Sequence, residues 1–241
     1  MWKAIWENEK YSWLYAVPNQ KSKPLLYKGG AKQLGKHNKY VKVIMAEYLY
    51  KKTKIRNMIL SLLLNSVIRL FSREFRYSRP LGISVSCINE FDDRFDAFWE
   101  KVKSQYPIIG ERNVRFLQWR YSEKSGRKYR IFSLCRDDEL IGYVVFYVRS
   151  QSCHIDDILC HRDPIVAETL IAEFSRFGRD SGYESIHVKY FGSRLFVSVF
   201  HRYNFYLRDN NPDEILFYSK DDNTGELLKE ENWHFLNGDS D

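Results

Sequence analysis

The chain alternates between β-rich runs and runs with helical periodicity, and from residue 81 onward the order can be written down. "GISVSCI" predicts a strand. "DDRFDAFWEKVKSQY" predicts a helix, and "ERNVRFLQWRYSE" a second, with Val114, Leu117 and Tyr121 on one face. "KYRIFSLCRDDELIGYVVFYVR" reads as a hairpin turning at "RDDE", and "CHIDDIL" as the next strand. Over "DPIVAETLIAEFSRFGRDSG" the signals of a helix agree: Asp163 as N-cap, Pro164 at the first helical position, Val166, Leu170, Phe174 and Phe177 inward, Gly182 near the end. The strand "SIHVKYF", the short helix "RLFVSVFHRY" and the strands "NFYLRD" and "EILFYS" follow, so the predicted order is β-α-α-β-β-β-α-β-α-β-β.

Ahead of residue 81 the pattern differs. "WLYAVPNQKSKPLLYKGGAKQLGKHNKYVKVI" predicts a strand, a turn at Pro18 and Asn19, a short helix, a glycine turn and another strand. Lys51 to Arg79 reads as a helix ending before Pro80, with Ile55, Met58, Ile59, Leu62, Leu63, Ser66 and Leu70 on one face and Arg69, Arg73 and Arg76 along another. Two readings stand: a connector that buries its apolar face between packed domains, or a helix lying in a membrane interface. Its apolar run, Met58 to Phe71, carries Asn65 and Arg69 and falls short of the ~20 residues a span needs.

With 241 residues, 44% of them apolar and 16% aromatic, the chain can bury the core of one large or two small domains. Its formal charge of +7 conceals a division: 17 Lys and Arg against 4 Asp and Glu up to Pro80, and 21 against 27 afterwards. The basic part could face anionic lipid, nucleic acid or the acidic part of its own chain. Nucleic acid is the least supported, because the basic residues are spread over several elements without an accompanying motif. Cys87, Cys135, Cys153 and Cys160 form no CxxC pair and read as reduced thiols of a cytoplasmic protein. "MWKAIWENEKYSW" has no apolar core of a cleavable leader.

The element order, "FLQWRY" (Phe116 to Tyr121), "KYRIFSL", "LIGYVVF" and the closing "NWHFLNGDSD" resemble the GNAT acyltransferases, and among them the second half of tandem GNAT-like proteins associated with bacterial surface-polysaccharide loci. The resemblance implies an α+β fold with a splayed mixed β-sheet flanked by helices over residues 81–241, preceded by the end of a truncated first repeat at 1–50 and a basic amphipathic connecting helix at 51–80. Setting "LLYKGGA" over "VFHRYNF" places Gly30 and Ala31 where Asn204 and Phe205 stand. An orphaned half-sheet exposes an edge, so pairing with another copy, with a separate upstream chain completing the first repeat, or with the second repeat is expected.

The resemblance also implies acyl-CoA (acetyl-CoA) as donor, with its pyrophosphate on N–H groups opening the long helix, and an amine or hydroxyl of a sugar or envelope precursor as acceptor. Arg162, Ile165 and Val166 occupy the donor positions. "HRDP" has no glycine there, Pro164 lacks an N–H, and the Asp163 carboxylate would cap the helix and repel phosphate. Tyr203 and Asp156 are the candidate acid and base, the family's tyrosine position being Phe200. Trp119, Arg120 and Tyr121 border the acceptor side, or else pack the helix and tie it to the acidic tail. Alternation puts His154 and Asp156 on one strand face and Asp157 on the other, and "CHIDDILCH" lacks a helix-spaced ligand pair, so no metal site is expected. The functions left open are an acyl-CoA-dependent acyltransferase with a degenerate cofactor loop and a non-catalytic GNAT-fold scaffold or partner subunit, peripheral to the inner face of the membrane.

Overall fold

The computed structural model describes residues 12–50, 58–122, 126–208, 212–220 and 225–240. Its strands are β1 (Trp13–Ala16), β2 (Lys32–Val43), β3 (Ile83–Ile88), β4 (Ile108–Ile109), β5 (Tyr129–Arg136), β6 (Glu139–Arg149), β7 (Ser152–Cys160), β8 (Ser185–Gly192), β9 (Phe205–Leu207), β10 (Asp213–Ser219) and β11 (Trp233–Leu236). The α-helices are α1 (Lys23–Lys28), α2 (Glu47–Tyr50), α3 (Met58–Phe71), α4 (Asp93–Val102), α5 (Val114–Arg120), α6 (Pro164–Asp180) and α7 (Arg194–Arg202). All eleven strands join one open mixed sheet in the order β1-β10-β2-β8-β7-β6-β5-β3, with β9 beside β2, β11 beside β8, and β4 beside β11. Helices flank it, giving the α+β architecture that the resemblance implies.

Local chemistry explains the central elements. Asp137 and Asp138 both take positive φ, 47° and 69°, in the two-residue turn between β5 and β6, a conformation that matches the twist of a hairpin. Helix α6 starts as the sequence predicts: Asp163 Oδ1 accepts from the N–H groups of Ile165 at 2.7 Å and Val166 at 3.1 Å. Phe174 of α6 is buried against Phe132 and Phe146, with ring centroids 5.4 and 5.2 Å away. On the opposite face α4 buries Phe95 and Phe98 against Tyr143. Each such ring contributes about 1.5–3 kcal/mol on burial, so the two helices hold the sheet from both sides.

The N-terminal segment is built into the same sheet. β2 pairs antiparallel with β8 from Asn38↔Tyr190 to Val43↔Ser185, and its outer edge takes β9 and β10. Two helix-turn-strand units meet here: α1 leads through Gly30 (φ 93°) to β2, and α7 through Asn204 (φ 62°) to β9. The buried ammonium of Lys42 on β2 donates to Glu74 Oε2 at 3.0 Å and to the Tyr203 carbonyl at 2.6 Å, while Arg179 of α6 lies 3.0 Å from Glu74 Oε1. One carboxylate thereby ties β2, the turn after α3 and α6 together.

Two expectations are corrected before Pro80. The helix read over 51–79, whose first seven residues lie outside the described ones, ends at Phe71. Ser72 leaves helical geometry (ψ 118°), its hydroxyl donates back to Ile68 O at 2.7 Å, and Arg179 holds that hydroxyl from α6. The apolar face is also not the buried one. Ser61 is buried, whereas Ile59, Leu62, Leu63 and Leu70 are exposed, because Asn65 docks the helix through polar bonds. Among the described residues no helix is long and apolar enough to cross a membrane.

Removing one partner of a buried pair strands the other charge. Glu74→Ala is therefore expected to lower stability by about 3–5 kcal/mol. Lys101→Ala, which breaks the exposed pair with Glu139, should change it by about 1 kcal/mol or less. Urea unfolding at neutral pH measures both.

Candidate functional site

Strands β7 and β8 run parallel only from Ser152↔Ser185 to Ile155↔Val188 and separate beyond that point. An opening past the carboxyl ends of parallel strands is where open sheets of mixed helix and strand take ligands. Here it holds the chain's own tail. β11 pairs antiparallel with β8 from His234↔Gly192 to Leu236↔Tyr190 and parallel with β4 on its other side. Toward β7, His234 Nε2 donates to the Ile158 carbonyl at 2.7 Å, and Tyr106 Oη donates to the Cys160 carbonyl at 2.8 Å. The Tyr106 and His234 rings pack with centroids 4.7 Å apart. Because a carbonyl only accepts, that bond places the proton of His234 on Nε2, and burial lowers its pKa to about 4.

The residues after β11 are fastened by a buried guanidinium. Arg112, 1% exposed, donates through one terminal nitrogen to both Asp239 oxygens at 2.6 and 2.7 Å. Its Nε lies 2.9 Å from Asp157 Oδ2, which also accepts from Tyr143 Oη at 3.1 Å. Arg120 adds bonds to the carbonyls of Gly238, at 2.7 Å, and Ser240. A side chain at Gly238 would sit 2.0 Å from Tyr121 Oη and 2.9 Å from the Asp156 carbonyl, so the close approach requires glycine. From the N-terminal strand, the Trp13 and Tyr15 rings meet Trp233 edge-on, and Tyr15 also meets Phe235. Asp157 and Asp239 share one guanidinium away from water. Burial pushes Asp157 up to about 6; the attraction of Arg112 opposes this and the charge of Asp239 adds to it.

Beside the tail lies an open pocket of about 260 Å³, with Lys39 from β2, His187 and Lys189 from β8, His154 and Asp156 from β7, and Arg127 and Asn237 at its rim. A β-bulge opposite Val145 and Phe146 corrects the expected alternation. Asp157 pairs with Val145 and Ile155 with Phe146, which leaves Asp156 as the extra residue and turns both aspartates toward the α4 face. Asp156 accepts from Tyr129 Oη at 2.7 Å, Arg127 at 3.1 Å and Asn237 Nδ2 at 2.8 Å. His154 stacks between Tyr147 and His187, with centroids 5.0 and 4.7 Å away, and burial followed by the charge of Lys39 lowers its pKa to about 4. With the neutral imidazole of His154 and the cations of Lys39, Lys189, which pairs with Asp213 at 2.6 Å, and Arg127, which pairs with Asp156, the pocket has the chemistry to bind a small anionic, hydroxyl-rich molecule.

The residues singled out from the sequence do not converge on one point. Asp156 reaches this pocket and Arg120 reaches the tail. Tyr121 is buried between Phe91 and Tyr129, and Trp119 is 69% exposed, its ring packed along the helix against Phe116. Tyr203 is buried on the α6 side, where its hydroxyl donates to Glu168 at 3.1 Å and burial raises its pKa. At the start of α6 the Asp163 carboxylate occupies the N–H groups of Ile165 and Val166, and Gln105 Oε1 accepts from the Arg162 N–H at 2.8 Å. Arg112, His187, Lys39 and Lys189 were not legible as site residues, whereas strand alternation places His154 on one face with Asp156, and both line this pocket. For Asp239 a signal existed in the glycine-aspartate ending.

The splayed mixed sheet, with its long helix crossing from β7 to β8, is the fold of the GCN5-related N-acetyltransferases. The chain superposes on such an enzyme from Anabaena variabilis with a TM-score of 0.57 at 12% identity, covering 89% of this chain and 47% of that one. A probable N-acyltransferase of unknown function from Enterococcus faecalis gives 0.58 at 12% identity, with 90% and 47% covered. A GCN5-related N-acetyltransferase from Sphaerobacter thermophilus gives 0.50 at 12% identity, with 86% and 59% covered. The chain thus spans about half the length of the first two structures. No family model and no curated protein matches it. The acyl-CoA that the fold implies does not fit the residues present: the helix N–H groups are self-capped, and β11 and His234 stand between the strands. Among the described residues no group of three His, Cys, Asp or Glu is placed to hold a metal ion.

A carboxyl whose folded pKa lies above its unfolded value binds protons on folding, so the stability it contributes is lost as pH rises. The contribution of Asp157 to unfolding free energy is expected to fall between pH ~4, the unfolded aspartate value, and pH 6, its folded value, against the opposite slope of His154 and His234, whose depressed pKa of about 4 makes stability rise up to pH ~6.5. Asp157→Asn should therefore make stability rise more steeply with pH across this range than it does in the unaltered chain. Denaturant titrations of both proteins across this range measure it.

Proposed function

We propose that this chain is a GNAT-fold protein that works without an acyl-CoA in its own cleft, as the non-catalytic, acceptor-holding partner of a donor-loading chain or repeat in the modification of a cell-surface polysaccharide or envelope precursor. One observation carries the reading: β11 is hydrogen-bonded along β8 in the opening between β7 and β8, and the buried Arg112–Asp239 pair locks it there. The Asp163 cap at α6 supports it independently, since an N-terminus already occupied by a carboxylate repels a phosphate. The cationic pocket at Lys39, Lys189 and Arg127 supports an anionic sugar or carboxylate as the molecule held. The matching geometry of the α1-β2 and α7-β9 units supports descent from a repeated fold, and self-association or a separate chain would supply the remaining half. Acyl transfer by this chain itself is the competing reading, and it requires the tail to leave the cleft.

Calorimetry with acetyl-CoA separates the two. A flat titration at millimolar ligand is the expected result, and Asp163→Gly alone should not restore binding because the tail still fills the opening. Saturable binding by the unaltered chain would overturn the reading.

A further inference from the structure

Helix α3 turns Ser61 and Asn65 inward, beside the half-buried Leu64 and Ile68. Ser61 is buried, and the Asn65 side chain accepts from the Ala46 N–H at 2.7 Å and donates to the Glu47 carboxylate at 3.3 Å. On the outer side Ile59, Leu63, Val67 and Leu70 recur at three- and four-residue spacing, flanked by Leu60 and Phe71, and these six are 41 to 68% exposed. A stripe of this kind on a folded chain marks an interaction surface. At its carboxyl end the helix opens onto a cleft of about 690 Å³ lined by Phe71, Arg73, Arg76, Tyr77 and Arg202. The carboxylate in that cleft, Glu168, is held by Arg202 at 2.6 Å and Tyr203 at 3.1 Å, which leaves an excess of positive charge. Arg69, over the Phe75 ring at 4.8 Å, extends the cationic rim.

We propose that this face docks on a bilayer containing anionic phospholipid, with the α3 stripe in the boundary between headgroups and acyl chains and a headgroup phosphate in the Arg73–Arg76 cleft. Charge complementarity selects this occupant. A second copy meeting the face across a two-fold axis would set the cationic rim against itself, whereas an anionic surface satisfies apolar stripe and rim together. Length agrees: the 14 described residues of α3 run about 21 Å, long enough to lie along a bilayer surface, and no described helix is long and apolar enough to cross one.

Co-sedimentation of the full chain with phosphatidylcholine vesicles, with and without phosphatidylglycerol, tests the proposal. Affinity for the anionic vesicles should exceed that for phosphatidylcholine alone by about 25-fold and fall with added salt. Leu63→Glu with Leu70→Glu should abolish sedimentation, and Arg73→Gln with Arg76→Gln should weaken it by about fivefold per arginine. All four side chains are exposed, so an unchanged melting temperature certifies that the variants fold. Absence of sedimentation with anionic vesicles, or equal binding to both compositions, overturns the proposal. So does a dimer, seen by ultracentrifugation, that Leu63→Glu breaks while vesicle binding stays absent, since the face then belongs to a second copy.

Discussion

A single guanidinium decides what the sheet's opening contains. Arg112 precedes α5, Asp157 sits on β7 and Asp239 lies three residues beyond β11, so three distant parts of the chain meet at one buried charge. A buried guanidinium without carboxylates is costly, and two buried carboxylates without a cation are costlier. The triad therefore forms as a unit and brings the tail with it. With β11 in place, β8 gains a partner where β7 has diverged, β4 gains one on the other side, and Asn237 closes the end of the Asp156 pocket.

The same separation of roles recurs at α6. In a fold that holds a pyrophosphate, the start of the long helix presents free N–H groups; here Asp163 takes two of them. Cap and tail are independent in sequence, yet both remove features that an acyl-CoA would use. What remains open is the polar pocket on the α4 face, which needs neither. The division of charge resolves in a comparable way. Lys42, Arg79 and part of the basic stretch pair with Glu74 and Glu173 inside the fold, while the arginines around the end of α3 stay at the surface.

Legibility from sequence followed the range of the interactions. The hairpin at "RDDE" and α6 with its cap were readable because turn and cap chemistry act over two to four residues. The short strand β11 was not: four residues between 3₁₀ turns carry no period, and their partners lie more than forty residues away. The bulge at Asp156 was hidden for a related reason, since an extra residue is visible only against the opposing strand. Trp119 and Tyr121 illustrate the limit on faces: neighbours in "QWRY", one is solvent-facing and the other buried, and α5 is only seven residues long.

By itself the sequence determined most of the order of elements from residue 81, the self-capped start of α6 and the basic character of the first eighty residues, all of which depend on local propensity or composition, while the α+β class followed from the resemblance. Tertiary structure alone decided three things: that the tail lies in the cleft, that both aspartates of β7 share a face, and that α3 turns its apolar side out. Each rests on pairing between residues far apart in the chain. Whether Asn65 or Leu63 faces inward depends on Ala46 and Glu47 across the gap, and no periodicity within the helix carries that information.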